Sequence, residues 1–194
     1  MVLRVFQKSK KRNFVFVHIN KTGGMSIEKA LGFTEKQHFT AIESLQMIGA
    51  KKWEKVFKFS IVRNPWDKVV SQYFHRLKTN QIGLGDYRID FKEWVKLTYG
   101  EQNPKYYDDP KYFMPQLNWL TDNNGKLMVD FIGRFENLEN DFRFICNKIG
   151  VSTDLPLINK SEHKEFQFYY DDETTEIVKR WFRKDIETFK YEVR

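Results

Sequence analysis

The residues best suited to chemistry lie in one short stretch, Asn20-Lys21-Thr22-Gly23-Gly24-Met25-Ser26, directly after the apolar run Phe14-Val15-Phe16-Val17. A run of aromatic and β-branched residues reads as a buried strand. A glycine turn and a helical pattern follow it. The first turn of a helix leaves backbone N–H groups without partners at its positive dipole end, which suits an anion. Gly23 and Gly24 have no Cβ and are expected to let the backbone approach a bulky anion closely. Lys21 adds a full charge, and Thr22 and Ser26 add hydroxyl donors. The stretch reads as a cradle for the phosphate or phosphosulfate of a nucleotide, the plainer alternative being a strand–turn–helix connection with a solvated lysine. A phosphate loop of the Gly-Lys-Ser/Thr kind does not fit, because here the lysine precedes the glycines.

A second constellation follows the strand pattern Phe57-Lys58-Phe59-Ser60-Ile61-Val62. Arg63 stands at its end, Asn64 can cap a helix, and Pro65 suits the first helical position. Val69, Val70, Tyr73, Phe74 and Leu77 recur at helical spacing, with Ser71 on the same helix. Ligands of open α/β sheets bind at the carboxyl ends of strands, so Lys21 and Arg63 at two such ends form a consistent anion site. Any proton transfer at such a site needs a base. His38 is one candidate, since histidine titrates near neutrality and His38 sits on a loop just before a helix start. Glu28, one helical turn beyond the glycines, is the carboxylate alternative. His18 reads as packing at the strand end, and His75 on a helix face and His163 in a late loop are poorer placed.

The elements that position these residues alternate between strand and helix. Ile27, Ala30 and Leu31 supply one face of a short helix ending near Gly32. Thr40-Ala41-Ile42-Glu43 fits a capping box. A helix is expected near Phe91 to Leu97, and a loop from Asn103 to Pro115. Met128 to Arg134 reads as a third strand, with a helix on Leu138, Phe142, Ile145 and Ile149. Asp171 or Asp172 can cap one last helix bearing Val178, Trp181, Phe182, Ile186 and Phe189.

Length and composition bound the class. At 194 residues, with 41% hydrophobic and 16% aromatic content, one packed domain spanning 1–194 is expected. Lys and Arg number 33 against 26 acidic residues, a net charge of +7, which favours an anionic ligand. Lys8, Lys10, Lys11 and Arg12 make a basic lead-in that reads as a solvated face. Cys146 is the single cysteine, so no internal disulfide forms, which fits a reducing compartment. Met1 to Phe6 is too short for a signal peptide and no run reaches membrane-spanning length, so a soluble, cytoplasmic protein is expected.

The pair Val17-His18-Ile19-Asn20-Lys21-Thr22-Gly23-Gly24 and Ile61-Val62-Arg63-Asn64-Pro65-Trp66-Asp67-Lys68-Val69-Val70-Ser71 resembles the sulfotransferases that use 3′-phosphoadenosine 5′-phosphosulfate. It is most similar to their carbohydrate branch, which includes heparan sulfate 2-O-sulfotransferase. Phe131-Ile132-Gly133-Arg134-Phe135-Glu136-Asn137-Leu138, Asn159-Lys160-Ser161 and the segment Asp185 to Tyr191 agree. The resemblance covers nearly the whole chain. It implies an α/β fold, a P-loop NTPase-like central parallel sheet flanked by helices.

The same resemblance assigns roles. Lys21, Thr22, Gly23, Gly24, Met25 and Ser26 would form the 5′-phosphosulfate loop, with Lys21 also at the reacting bridge. Arg63 and Ser71 would hold the 3′-phosphate. Phe135 would border the adenine, and Lys160 and Ser161 would close over the nucleotide. A histidine in the context His38-Phe39-Thr40-Ala41 would be the base. The family pattern often has proline where Asn20 stands and threonine where Met25 stands. The implied donor is 3′-phosphoadenosine 5′-phosphosulfate, with no metal, and the implied acceptor a hydroxyl on a carbohydrate or another molecule. Neither a nucleic-acid partner nor a membrane span is implied, and the oligomeric state stays open. Two other readings remain: a P-loop-like kinase using ATP, for which Arg63 and Ser71 would lack a purpose, and a non-enzymatic basic module binding nucleic acid or acidic polymer.

Overall fold

The computed structural model describes residues 12–34, 38–81, 84–87, 89–156 and 164–193. The chain divides into two compact units, Met1–Val62 with Gln116–Ile158 and Arg63–Pro115 with Asn159–Arg194.

The first unit is built on a three-stranded sheet of order β1-β2-β3: β1 Phe14–Val17, β2 Phe57–Val62 and β3 Phe131–Arg134. Both pairings are parallel, with Phe14 opposite Phe57 and Val62 opposite Arg134. Strands buried on both faces read as continuous apolar runs, which is why β1 and β2 were legible as strands. The parallel register brings all three carboxyl ends to one edge. Helices α1 (Gly24–Ala30), α2 (Ala41–Ile48) and α5 (Leu138–Ile149) belong to this unit. Phe14, Phe16, Phe59 and Ile61 of the sheet pack with Ile27 of α1 and with Phe142, Ile145, Cys146 and Ile149 of α5. Burial pushes the Cys146 thiol up, so it stays protonated and acts as packing. Lys58 is accommodated inside β2 because its Nζ donates to Trp53 O at 3.3 Å and pairs with Asp130 at 3.0 Å.

The third strand is shorter than Met128–Arg134. Met128 N donates to Leu120 O at 2.8 Å, and Thr121 and Leu127 form an antiparallel bridge, so this backbone is paired before β3 begins. Thr40 caps α2 as anticipated, its side chain accepting from Glu43 N while Glu43 Oε2 accepts from Thr40 N at 2.7 Å.

The second unit is helical. It contains α3 (Pro65–Lys78), α4 (Phe91–Val95) with a wider turn over Lys96–Gly100, α6 (Asp172–Trp181) and α7 (Arg183–Phe189). Its core joins Trp66, Val69, Val70 and Tyr73 of α3 to Trp94, Tyr99, Phe113, Ile177, Val178 and Phe182. Asn64 Oδ1 accepts from Trp66 N at 3.0 Å with Pro65 at the first position of α3. The single last helix expected from the sequence is two, because the wholly buried Phe182 ends α6 and starts α7. The expected loop from Asn103 to Pro115 contains a helical turn, Pro110–Phe113, which inserts Phe113 into this core. Among the described residues, no helix is long and apolar enough to cross a membrane.

Candidate active site

Past Val17 the chain stays inside. His18 and Ile19 are buried, and Thr22 Oγ1 donates to Ile19 O at 2.9 Å. That bond uses the one proton of the Thr22 hydroxyl, so what Thr22 can offer an anion is its backbone N–H. Lys21 holds φ 66° and Gly23 φ 80°. A left-handed lysine costs about 1–2 kcal/mol, strain of the kind that collects at functional sites when surrounding structure enforces it. Ser26 N donates to Gly23 O at 3.1 Å, and no side chain caps the N-terminus of α1. Gly24, Ser26, Ile27 and Glu28 are buried, while Met25 faces outward at 40% exposure.

The two glycines are needed for a reason other than ligand approach. A Cβ on Gly24 would lie 2.1 Å from Cδ2 and 2.2 Å from Nε2 of His18. A Cβ on Gly23 would lie 2.9 Å from Leu138 Cδ2 and 3.0 Å from Phe135 Cδ2. Both missing side chains would point into protein, so the glycines let the turn settle onto rings beneath it. Phe135, expected beside an adenine, therefore packs at the glycine turn.

His18 and Glu28 are the residues that sequence reasoning under-read. His18 Nδ1 and Glu28 Oε1 are 2.8 Å apart, with side-chain exposures of 2% and 7%. The pair ties the end of β1 to α1 and closes the turn from below. Glu28, the alternative base, is thus engaged under the loop. A strand end and a helix face four residues past the second glycine must meet when the turn between them is tight, and that was the available signal. The His18 ring stacks on Phe16 at 5.3 Å and lies 4.2 Å from the His38 ring. His38 Nδ1 donates to His18 O at 3.1 Å, and its ring meets Trp119 edge-on at 6.4 Å. A carbonyl only accepts, so the proton is on Nδ1 and Nε2 carries the lone pair in the neutral ring.

In the second unit Arg63 and Ser71 are both 5% exposed. Arg63 Nε donates to Asp67 Oδ2 at 2.7 Å. Asp67 and Ser71 share one face of α3, and Arg63, just before the cap at Asn64, reaches Asp67 in the first turn. Asp67 had no role in the sequence reading, although its spacing from Arg63 gave the signal. It fixes the guanidinium at Nε and so orients the fork. His75 is half-buried on the same helix. Lys160, Ser161 and His163 lie outside the described residues, as do Lys8, Lys10 and Lys11.

Comparison with known proteins places the chain. A model described as the Sulfotransferase family matches residues 4–192. An uncharacterized protein of Archaeoglobus fulgidus is 34% identical over 110 residues, which is 56% of this chain and 79% of the relative. A crystal structure of a sulfotransferase from Alicyclobacillus acidocaldarius aligns with 94% of this chain and 97% of its own, at 15% identity and a TM-score of 0.48.

Proposed function

The chain belongs to the sulfotransferase family, and from that premise we propose that it moves a sulfuryl group from 3′-phosphoadenosine 5′-phosphosulfate to an acceptor hydroxyl, on a carbohydrate. The observation that carries the reading is the turn from His18 to Ser26, with a strained Lys21 and a helix start that no side chain caps. The donors of each unit taken by itself suit such a group: an ammonium and backbone N–H groups in the first, and in the second a guanidinium oriented by Asp67. Lys21 through Ser26 would hold the 5′ end, and Arg63 with Ser71 the 3′-phosphate. Phe135 would meet the base, and Lys160 and Ser161 would complete the nucleotide contacts. Bound there, the nucleotide supplies the sulfuryl group.

The residues of the chain then have three tasks. Lys21 stabilises the charge that builds on the departing oxygen, the electrostatic kind of help such transfers need most. His38 takes the acceptor's hydroxyl proton at Nε2, the nitrogen left basic by its bond to the His18 carbonyl. The turn, packed on His18, would fix the position of the 5′ end. The transfer asks for no metal in this scheme. A cytoplasmic setting and one domain over 1–194 complete the proposal.

The test is incubation with sulfur-labelled donor and a host-cell extract, followed by mass detection. A product heavier by one sulfuryl group supports the reading and identifies the acceptor. Heat protection separates it from a kinase. Adenosine 3′,5′-bisphosphate should protect and ATP should not, and the reverse result would overturn it.

A further inference from the structure

We infer that the buried His18–Glu28 pair is a positioning device for His38, holding it in the Nδ1–H form with Nε2 directed to the acceptor, and that Glu28 works as a hydrogen-bond acceptor. This rests on the reading of His38 as the base. His18 grips His38 twice, by its ring at 4.2 Å and by its own carbonyl at 3.1 Å. The His18 ring is in turn held on three sides. Phe16 stacks on one face at 5.3 Å, the backbone of Gly24 lies against Cδ2 and Nε2, and Glu28 Oε1 takes the Nδ1 proton at 2.8 Å. Phe16 and Gly24 restrict the ring without fixing its rotation about its own axis. The acceptor at Glu28 does that, since a buried imidazole N–H without a partner is costly and turns to find one. His18 and Glu28 are positioning residues, acting on the reaction through His38.

His18 also links the proposed base to the donor loop. His18 sits between them: its ring bears on Gly24 of the loop and its carbonyl on His38. Without Glu28 the ring still packs against Gly24 but loses what fixes its rotation, so the proton acceptor is misplaced while the loop backbone keeps its donors.

Two variants and one wild-type measurement decide this. Glu28→Leu fills the space without an acceptor, and Glu28→Gln keeps one. Glu28→Leu should lower kcat about 10–100-fold, with donor KM and the affinity for adenosine 3′,5′-bisphosphate changed by less than about threefold. Glu28→Gln should stay within about threefold of wild type in kcat. Nitrogen-15 NMR of the wild-type protein should place the His38 proton on Nδ1, with Glu28→Leu showing a tautomer mixture. The inference is overturned by wild-type kcat in Glu28→Leu, by an equal loss in Glu28→Gln, or by nucleotide affinity falling in step with kcat. A wild-type His38 proton on Nε2 overturns it whether or not a variant folds. Absence of sulfuryl transfer by the wild type would instead remove the sulfotransferase reading, and the tautomer measurement would still judge the pair.

Discussion

One methyl group at position 24 tests the architecture of the turn. In Gly24→Ala the added Cβ lies 2.1 Å from His18 Cδ2, 2.2 Å from Nε2 and 2.9 Å from Cε1. The obstacle is a ring, 2% exposed, anchored by Glu28 and stacked on Phe16. It is not a flexible chain end that swings aside. If α1 shifts, overpacking costs about 1–3 kcal/mol. If His18 leaves, Glu28 loses its 2.8 Å bond in a buried site, again at about 1–3 kcal/mol. Some of both is expected, and alanine regains up to about 1 kcal/mol over glycine within a helix, so the net loss is about 2–4 kcal/mol. For a chain of this length that lowers Tm by about 5–15 °C. The assay is a thermal double-mutant cycle with His18→Ala. Once the ring is gone, Gly24→Ala should be neutral or stabilising by up to about 1 kcal/mol. An unchanged Tm in Gly24→Ala alone, or the same cost in both backgrounds, would refute the reasoning.

Three further outcomes are expected. Lys21→Ala should lower turnover at saturating donor by roughly 10²–10³; near-wild-type product formation would remove Lys21 from the reaction. Arg63→Lys exchanges a fork held by Asp67 for a point charge, and should weaken adenosine 3′,5′-bisphosphate about 10–100-fold by calorimetry while sparing adenosine 5′-phosphate. Equal losses for both nucleotides would detach Arg63 from the 3′-phosphate. Hydrogen bonds from Thr174 hold the Asp171 carboxyl down at about 2. The folded chain thus binds this proton less tightly than the unfolded one, so the stabilisation is whole above about pH 4 and fades as pH falls toward about 2. Asp171→Asn keeps a capping acceptor without the titration, and its Tm deficit should shrink over that range; a constant deficit would sink the argument.

Local rules carried the sequence reading a long way. The limits of β2, the Asn64-Pro65 helix start and the Thr40 cap were legible, and the last cap was narrowed to Asp171 or Asp172, because each depends on residues within one turn of chain. The misreadings share an opposite cause. β3 begins late because Met128 bonds Leu120, α6 stops because Phe182 sinks into a core, and Pro110–Phe113 forms a turn because Phe113 anchors it. The site divides along the same line. Type and spacing singled out Lys21, the glycines and Arg63 as candidates, whereas the contacts of the glycines with His18, Phe135 and Leu138 and of Arg63 with Asp67 were missed. The bond from His18 to Glu28 spans ten positions and crosses from strand to helix, so no single period exposes it. Asp67 was exposed by its period, but nothing local said that Arg63 would turn back to it.

Those hidden partners change what the glycine turn is for. Thr22 donates inward to Ile19, Gly24 rests on His18, and Gly23 rests under Phe135 and Leu138. Side-chain identity at these positions thus sets the shape of the loop. In the proposed reading, the donors toward an anion are then the backbone N–H groups and Lys21, which holds a left-handed conformation. Met25 fits the same logic. It points outward at 40% exposure between two buried residues, so exchanging threonine for methionine there removes a hydroxyl and leaves the packed underside of the turn intact. A loop built this way meets little obstruction to change on its outer face at Met25, whereas a Cβ on either glycine runs into packed side chains.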